Sequence, residues 1–139
     1  MTLTSGTGSF TATLTKSGAQ RISGMDTVTS TIKGTSGSIT LSAAAAASFT
    51  VTAPASTMVG AAFYVTVTAK DAYGNVASNY TGTVHLSSTD PLAVLYSDAT
   101  LTKGARQFTV KLKTVGSQTV MATDTSSSVT GTSGPITVH

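Results

Sequence analysis

Residues that could do chemistry are few and scattered in this chain of 139 residues. The chain has no Cys, and all five of its acidic residues are Asp. The pattern places His85 on the outward face of a strand, with no acid or nucleophile beside it in sequence, and no serine lies in a G-x-S-x-G elbow. Because no thiolate nucleophile and no assignable triad can be built, we expect no catalysis.

Oxygen ligands for calcium could come from Asp71, Asn75, Asp90 and Asp98. A calcium loop of D-x-D-x-D-G spacing does not occur in the chain. In the segment Asp-Ala-Tyr-Gly-Asn, Asp71 and Asn75 can bond the local backbone while Gly74 takes a positive φ. We interpret Asp71, Gly74 and Asn75 as a turn motif and predict no cofactor or metal, with calcium left open as an alternative.

Charge and aromatic content restrict the partners. The net charge of +3 comes from Lys and Arg scattered singly, whereas nucleic-acid surfaces need basic clusters. No apolar run approaches the roughly 18 residues of a membrane span. We therefore expect neither nucleic-acid binding nor membrane insertion. Glycan binding would need a flat aromatic platform; the chain has no Trp, and its tyrosines lie in separate segments, at Tyr64, Tyr73, Tyr80 and Tyr96.

Short β-strands are the elements that must position these residues. Charged residues make up only 9%, against about 25% in ordinary domains, and Thr, Ser, Val, Ala and Gly dominate. In AAFYVTVTAK, alternation places Phe63, Val65, Val67 and Ala69 on one face. The same alternation predicts the other inward side chains of residues 48–139: Phe49, Val51, Ala53, Val84, Leu86, Phe108, Val110, Leu112, Val120, Ala122, Ile136 and Val138. Seven such strands between turn signals predict an all-β, Ig-like antiparallel β-sandwich.

The sequence also repeats itself. TLTSGTGSFTATLTKSGAQ, residues 2–20, aligns with TLTKGARQFTVKLKTVGSQ, residues 100–118, at a spacing of 98 residues. GTSGSITL, beginning at Gly34, returns as GTSGPITV, beginning at Gly131, at a spacing of 97, so one residue was gained or lost in the loop between the two motifs. A period near 100 residues fits one β-sandwich domain.

This period predicts the domain organisation. We interpret residues 1–42 as the C-terminal half of an Ig-like repeat, residues 43–47 as an Ala-rich connector, and residues 48–139 as a complete Ig-like domain. Five alanines are too short for a stable isolated helix. The alternative is that these alanines lengthen a strand. We call residues 48–98 of the complete domain its front half, and residues 99–139, which align with residues 1–42, its back half.

The turn segment TVTAKDAYGNVASNYTGTVHLSS, residues 66–88, resembles the D-x-x-G-N turn of bacterial Ig-like domains of the invasin and intimin type, the Big family. FTVKLKTVGSQTVMATD, residues 108–124, is similar to the ending of those domains. The resemblance implies a tandem spacer or adhesive module of a bacterial cell-surface or extracellular fibre protein, without catalysis and usually without a cofactor. The alternative is a carbohydrate-binding or accessory module of a secreted enzyme.

The half repeat raises a further expectation. Alternation predicts three strands in this half, with Phe10, Ala12 and Leu14, then Ile22, then Ile39 and Leu41 facing inward. Five of these side chains, Phe10, Leu14, Ile22, Ile39 and Leu41, align with core positions but have no front half of their own in the chain. Leaving these five side chains in water forgoes on the order of 10 kcal/mol, at roughly 1.5–3 kcal/mol each. We therefore expect them to form a homotypic interface with other copies of the repeat, either face to face or as strands added to a sheet edge. The alternative is a front half that lies upstream in a longer array.

Overall fold

The computed structural model describes all residues, 1–139, and contains strands but no helix. The strands are, in chain order, β1 Gly18–Gln20, β2 Ser23–Met25, β3 Lys33–Thr35, β4 Ile39–Leu41, β5 Ser48–Thr52, β6 Ser56–Thr57, β7 Ala62–Lys70, β8 Thr83–Ser88, β9 Val94–Leu95, β10 Ala99–Thr100, β11 Ala105–Lys111, β12 Gly116–Gln118, β13 Val120–Asp124, β14 Thr130–Thr132 and β15 Ile136–Val138. The chain divides into two compact units, unit 1 (Met1–Ser42) and unit 2 (Ala43–His139).

Unit 2 is a β-sandwich. One sheet has the order β5-β7-β11-β9, a second has the order β10-β8-β13-β14, and β12-β15-β6 form a smaller third sheet. All neighbours pair antiparallel except β15 and β6. Side chains of both larger sheets share one hydrophobic core. The prediction of an all-β sandwich is confirmed.

Alternation in sequence becomes alternation in burial. Along β7, Val65, Val67 and Ala69 are fully buried while Tyr64 is exposed, because successive side chains of a strand point to opposite faces. Phe63, near the start of the strand, is only half-buried. Leu101 is buried although the alternation pattern did not place it in the core.

Unit 1 repeats the strand pairing of unit 2. β1 pairs with β4 so that Gly18 lies opposite Leu41, and β12 pairs with β15 so that Gly116 lies opposite Val138. β2 and β3 pair in the register of the aligned parts of β13 and β14. At the spacings of 98 and 97 residues, every pair of unit 1 therefore has its equivalent in unit 2.

The turns repeat as well. Ser5 and Gly6 have φ of +53° and +79°, and Lys103 and Gly104 have φ of +53° and +75°. Two successive residues with positive φ are typical of the tight turns that join antiparallel neighbours. The backbone of residues 1–42 thus follows its aligned segment even where no regular sheet is present.

One predicted strand is absent. Residues 8–15, which carry Phe10, Ala12 and Leu14 in strand-like alternation, lie in no strand. The equivalent segment of unit 2 is largely β11, which lies between β7 and β9. The prediction of a strand here is wrong, because a strand needs a neighbour for its backbone and unit 1 has no counterpart of β7.

Residues 43–47 form neither helix nor strand. The N–H of Ala44 donates to Oδ2 of Asp71 at 3.0 Å, and the N–H of Ala47 donates to the carbonyl of Lys70 at 2.7 Å. Ala46 packs against the core of unit 2. The alanines are therefore attached to unit 2 by hydrogen bonds and packing.

Candidate functional site

The candidate site is the apolar face of unit 1, which we define by Leu3, Phe10, Leu14, Ile22, Ile39 and Leu41. Phe10 is 64% exposed, Leu3 56% and Ile39 37%, whereas the other three are half-buried. The equivalent side chains of unit 2 are each at most 1% exposed: Leu101, Phe108, Leu112, Val120, Ile136 and Val138. One set of aligned positions thus forms a core in unit 2 and an accessible apolar surface in unit 1.

A serine fixes the two strand pairs of unit 1 to each other. Ser36 Oγ accepts the N–H of Ile22 at 2.9 Å and donates to the carbonyl of Gly37 at 2.8 Å. Ser133 Oγ likewise accepts the N–H of Val120 at 3.0 Å and donates to the carbonyl of Gly134 at 2.8 Å. The repeated motif GTSG therefore carries a structural role, and it preserves the scaffold of the apolar face without a front half.

An aspartate at the edge of the face also repeats. Asp26 Oδ1 accepts the N–H of Val28 at 2.8 Å and of Thr29 at 2.6 Å. These bonds, that from Thr29 first, hold the pKa of Asp26 below its ordinary value. Asp124 Oδ1 accepts the N–H of Ser126 and of Ser127 in the same way.

In unit 2 this aspartate has an additional partner. The hydroxyl of Tyr80 donates to Oδ2 of Asp124. That bond, with the donors at Ser126 and Ser127, lowers the pKa of Asp124 to about 2 against the opposing effect of burial. Burial, followed by the bond to Asp124, raises the pKa of Tyr80. Residues 1–42 contain no tyrosine, so Asp26 has no such partner within unit 1.

A shallow groove opens in unit 1 beside Asp26. It is lined by Met1, Leu3, Met25, Asp26, Ile32 and Gly34, among others. At the aligned place in unit 2, the backbone carbonyl and Cβ of Phe49 lie against Gly131, and the hydroxyl of Tyr80 bonds Asp124. The rings of Phe49 and Tyr80 contact each other edge to face, with centroids 5.5 Å apart. The groove therefore lies where unit 2 has contacts from two front-half residues.

Asp71, Gly74 and Asn75, the predicted turn motif, lie in a turn directly after β7. Oδ1 of Asp71 accepts the N–H of Tyr73 at 2.9 Å and of Asn75 at 2.8 Å, and Gly74 has φ of +82°. Oδ2 accepts Nδ2 of Asn75 at 2.9 Å. The side chain of Asn75 is the first cause that lowers the pKa of Asp71. With the N–H of Ala44, protein donors thus contact both carboxylate oxygens.

Asp90 is a buried carboxylate to which sequence reasoning assigned only a metal-ligand alternative. It accepts the N–H of Leu92 at 2.9 Å, of Lys113 at 2.5 Å and of Thr114 at 3.0 Å, as well as the Thr114 hydroxyl at 2.6 Å. Burial alone would raise its pKa, but these donors, with the Thr114 hydroxyl first, lower it to about 2. The bond from Leu92 is of the local kind that Asp often forms in turns, so the sequence could have predicted it. The bonds from residues 113 and 114 come from a distant segment that no local pattern indicates.

His85 has a partner that its sequence neighbours did not reveal. Its Nδ1 lies 2.7 Å from Oδ1 of Asp98, and both side chains are exposed. His85 faces outward on β8 as the alternation predicted, and pairing of β8 with β10 brings it to an aspartate that is distant in sequence. No three His, Asp or Glu side chains form a group that could hold a metal ion.

The tyrosines do not assemble into one aromatic surface. Tyr80 packs against Phe49, and Tyr96 lies edge to face with Phe108 at 6.1 Å between centroids. Tyr64 and Tyr73 are both exposed, but no two tyrosine rings are in contact. A glycan platform therefore has no geometric support in this arrangement.

Together, these observations show a β-sandwich, unit 2, and a second unit that shares the strand register and turns of its aligned part. No protein-family model and no curated protein matches the chain. The structure contains no helix that is long and apolar enough to cross a bilayer.

Among solved structures, the chain is similar to the crystal structure of domains 4 and 5 of the S-layer protein SbsC, with 24% identity and a TM-score of 0.50 over 76% of this chain. It is also similar to the structure of SbsC domains 4–9, with 23% identity and a TM-score of 0.52 over 78% of this chain. The match spans 58% of the first of these chains and 16% of the second. At this identity the likeness shows the shared fold.

Proposed function

We propose that this chain is a structural repeat of a bacterial cell-surface or extracellular protein. Complete repeats such as unit 2 serve as spacers, and the apolar face of unit 1 joins the chain to further repeats of the same kind. The protein is not an enzyme in this proposal, and it needs no cofactor.

One observation carries the proposal: aligned residues in the same strand register form a closed core in unit 2 and an accessible face in unit 1. An apolar surface of this kind marks an interaction site, because leaving it in water forgoes burial energy. In unit 2, the equivalent side chains are covered by the front half of the same repeat. This favours a partner of the same kind for the apolar face of unit 1.

Two further lines support a cell-surface role. The sequence resembles bacterial Ig-like domains, which occur in tandem in long extracellular proteins. The solved structures of similar fold are named as S-layer proteins, that is, as surface-layer components. Both lines favour an architectural role for the repeat.

Light scattering on the purified chain tests the joining of repeats. We expect the weight-average mass to rise above 13.9 kDa with concentration in the micromolar range. Phe10→Asp should restore the monomer, because it places a charge on an exposed position of the face. Val115→Asp is the matched control, since it adds the same charge at a residue of unit 2 that is 68% exposed.

Two outcomes would contradict homotypic joining. The first is a monomer over the whole concentration range together with fast amide exchange across residues 2–42. The second is equal association of the Phe10→Asp and Val115→Asp variants, since the contact would then lie away from the apolar face of unit 1.

A further inference from the structure

A glycine of unit 1 has no local explanation. Gly34 lies in β3, its φ is outside the left-handed region, and a Cβ built on it would meet nothing within 4 Å. Neighbouring Gly24 aligns with Ala122, so the strand pair itself does not demand glycine. Any small residue would fit at position 34 if unit 1 functioned as it stands.

The equivalent glycine of unit 2 explains the choice. A Cβ on Gly131 would overlap the backbone carbonyl of Phe49, and it would lie 2.8 Å from the Cβ of Phe49. Strand β5 of the front half therefore crosses Gly131 too closely for any other residue. Glycine at position 34 provides the same clearance for a backbone that is not among residues 1–42.

Three other features of unit 1 correspond to places that the front half contacts in unit 2. Asp26 binds its two backbone donors as Asp124 does, and in unit 2 the remaining contact comes from Tyr80, a front-half residue. The groove lies where unit 2 places Phe49 and Tyr80. Residues 8–15 keep the alternation of β11, whose main neighbour is β7, also a front-half strand.

These observations select the occupant. A second back half has no counterpart of Phe49, whose backbone crosses Gly131, or of Tyr80, whose hydroxyl bonds Asp124. Contact between copies of this chain can bury apolar side chains of the face, but it cannot supply these front-half partners to every copy, because each copy holds one front half and two back halves. The occupant must therefore be a front half additional to the one held in unit 2.

We infer that the apolar face of unit 1 is the binding site for a second front half of this repeat, a segment with the strand pattern of residues 43–98. It binds with its β5-type strand across Gly34, its β7-type strand beside residues 8–15 and its tyrosine on Asp26. This inference rests on the proposed function, and it names the part of a repeat that forms the partner.

The test is a lengthened chain in which a second copy of residues 43–98 precedes Met1. Met1 aligns with Ala99, so the new junction reproduces the natural connection from Asp98 to Ala99. We expect amide exchange in residues 8–41 to slow by about two orders of magnitude or more relative to the 139-residue chain, because opening would then require unfolding of a complete domain.

Gly34→Ala should remove most of this protection in the lengthened chain and leave exchange in the 139-residue chain unchanged. Gly37→Ala is the matched control: a Cβ at Gly37 meets nothing within 4 Å, and neither does one at its equivalent Gly134 in the complete repeat. The control should keep the protection. Equal protection in the two variants would overturn the placement of β5 across Gly34.

Absence of protection in the lengthened chain would overturn the inference. Concentration-dependent association of the 139-residue chain would in that case still support homotypic joining, now between back halves. Conversely, protection in the lengthened chain with a strictly monomeric 139-residue chain would support the inference and contradict self-association of this chain. The two proposals can therefore fail separately.

Discussion

Three aspartates of unit 2 serve as hydrogen-bond acceptors for backbone groups that turns leave without strand partners. Asp71 accepts N–H groups in the turn after β7, Asp90 accepts donors from residues 113 and 114, and Asp124 accepts donors in the loop after β13. Buried N–H groups without partners are costly, and ionised acceptors make the stronger hydrogen bonds. At the residue scale, these carboxylates therefore stabilise loops.

The bond between Tyr80 and Asp124 can be tested by Tyr80→Phe. Loss of the hydroxyl donor to a charged acceptor should lower the free energy of unfolding by roughly 1.5–3 kcal/mol. Tyr64→Phe, at a residue that is 66% exposed, is the control and should change it by less than about 0.5 kcal/mol. Urea titration measures both variants, and an equally small effect at Tyr80 would show that the bond contributes little.

Acid should destabilise unit 2 over a defined range. The pKa of Asp90 and that of Asp124 are about 2 in the folded chain, against an ordinary 3.8. A carboxyl whose pKa falls on folding contributes stability that is fully present above its unfolded pKa and is lost as pH falls through the folded value. We expect the free energy of unfolding to be steady down to about pH 4 and to decrease between about pH 4 and pH 2.

Asp90→Asn separates this contribution from other acid effects. The amide cannot accept four donors as a charged carboxylate does, so we expect a loss of roughly 2–3 kcal/mol at neutral pH. The variant should also show a weaker dependence on pH below pH 4. A pH profile parallel to that of the unsubstituted chain would mean that Asp90 titrates normally.

At the element scale, β11 and residues 8–15 show how far a strand depends on its neighbours. Both segments carry the same alternation, with Phe108 and Phe10 at the same position. Pairing with β7 on one side and β9 on the other makes β11 a strand with a buried face, whereas residues 8–15 lie in no strand. β-propensity is therefore a condition for these strands, and the neighbouring strand decides whether they form.

The matched pair Phe108→Ala and Phe10→Ala measures this difference. Phe108 is 1% exposed, so its truncation should cost about 3–5 kcal/mol by loss of burial and creation of a cavity. Phe10 is 64% exposed, so its truncation in the dilute chain should cost less than about 0.5 kcal/mol. Denaturant titration gives both values. A cost under about 1 kcal/mol at Phe108 would contradict its place in the core.

At the scale of the whole molecule, the single front half that the chain contains is part of unit 2. Strands β5, β7 and β8 contribute to a core that also contains side chains of β11, β13 and β15. Unit 2 therefore has both sheets of a closed sandwich, while unit 1 has two strand pairs and no strands equivalent to β5, β7 or β8. This difference in strand content leaves the apolar face of unit 1 uncovered, and it is the physical basis of the proposed joining between repeats.

Unit 2 should fold as a separate fragment, residues 43–139, without metal. A domain of about this length can bury enough surface for independent stability. The fragment should unfold cooperatively, and a chelator should leave its melting temperature unchanged, because protein donors surround Asp71 and Asp90. A decrease of several degrees with EDTA, followed by calorimetry, would support the calcium alternative.

The sequence alone determined the fold class and most of the core. Alternation reports the facing of a strand because the side-chain period is a local property of the extended backbone, and the inward positions Val65, Val84 and Phe108 were predicted in this way. The repeat also predicted that Phe10 and Ile39 belong to an incomplete half. Leu101 was missed because the alternation around it covers only residues 99–102, the shortest run that indicates a strand.

The tertiary structure decided what depends on partners distant in sequence. The contact of Tyr80 with Asp124, the donors of Asp90 from residues 113 and 114, and the pair of His85 with Asp98 arise from strand pairing over long separations. No local pattern encodes them, because each partner is brought into place by the register of another strand. For the same reason, only the structure showed that Gly131 is crossed by a backbone while the aligned Gly34 is open, since clearance depends on which strand lies opposite.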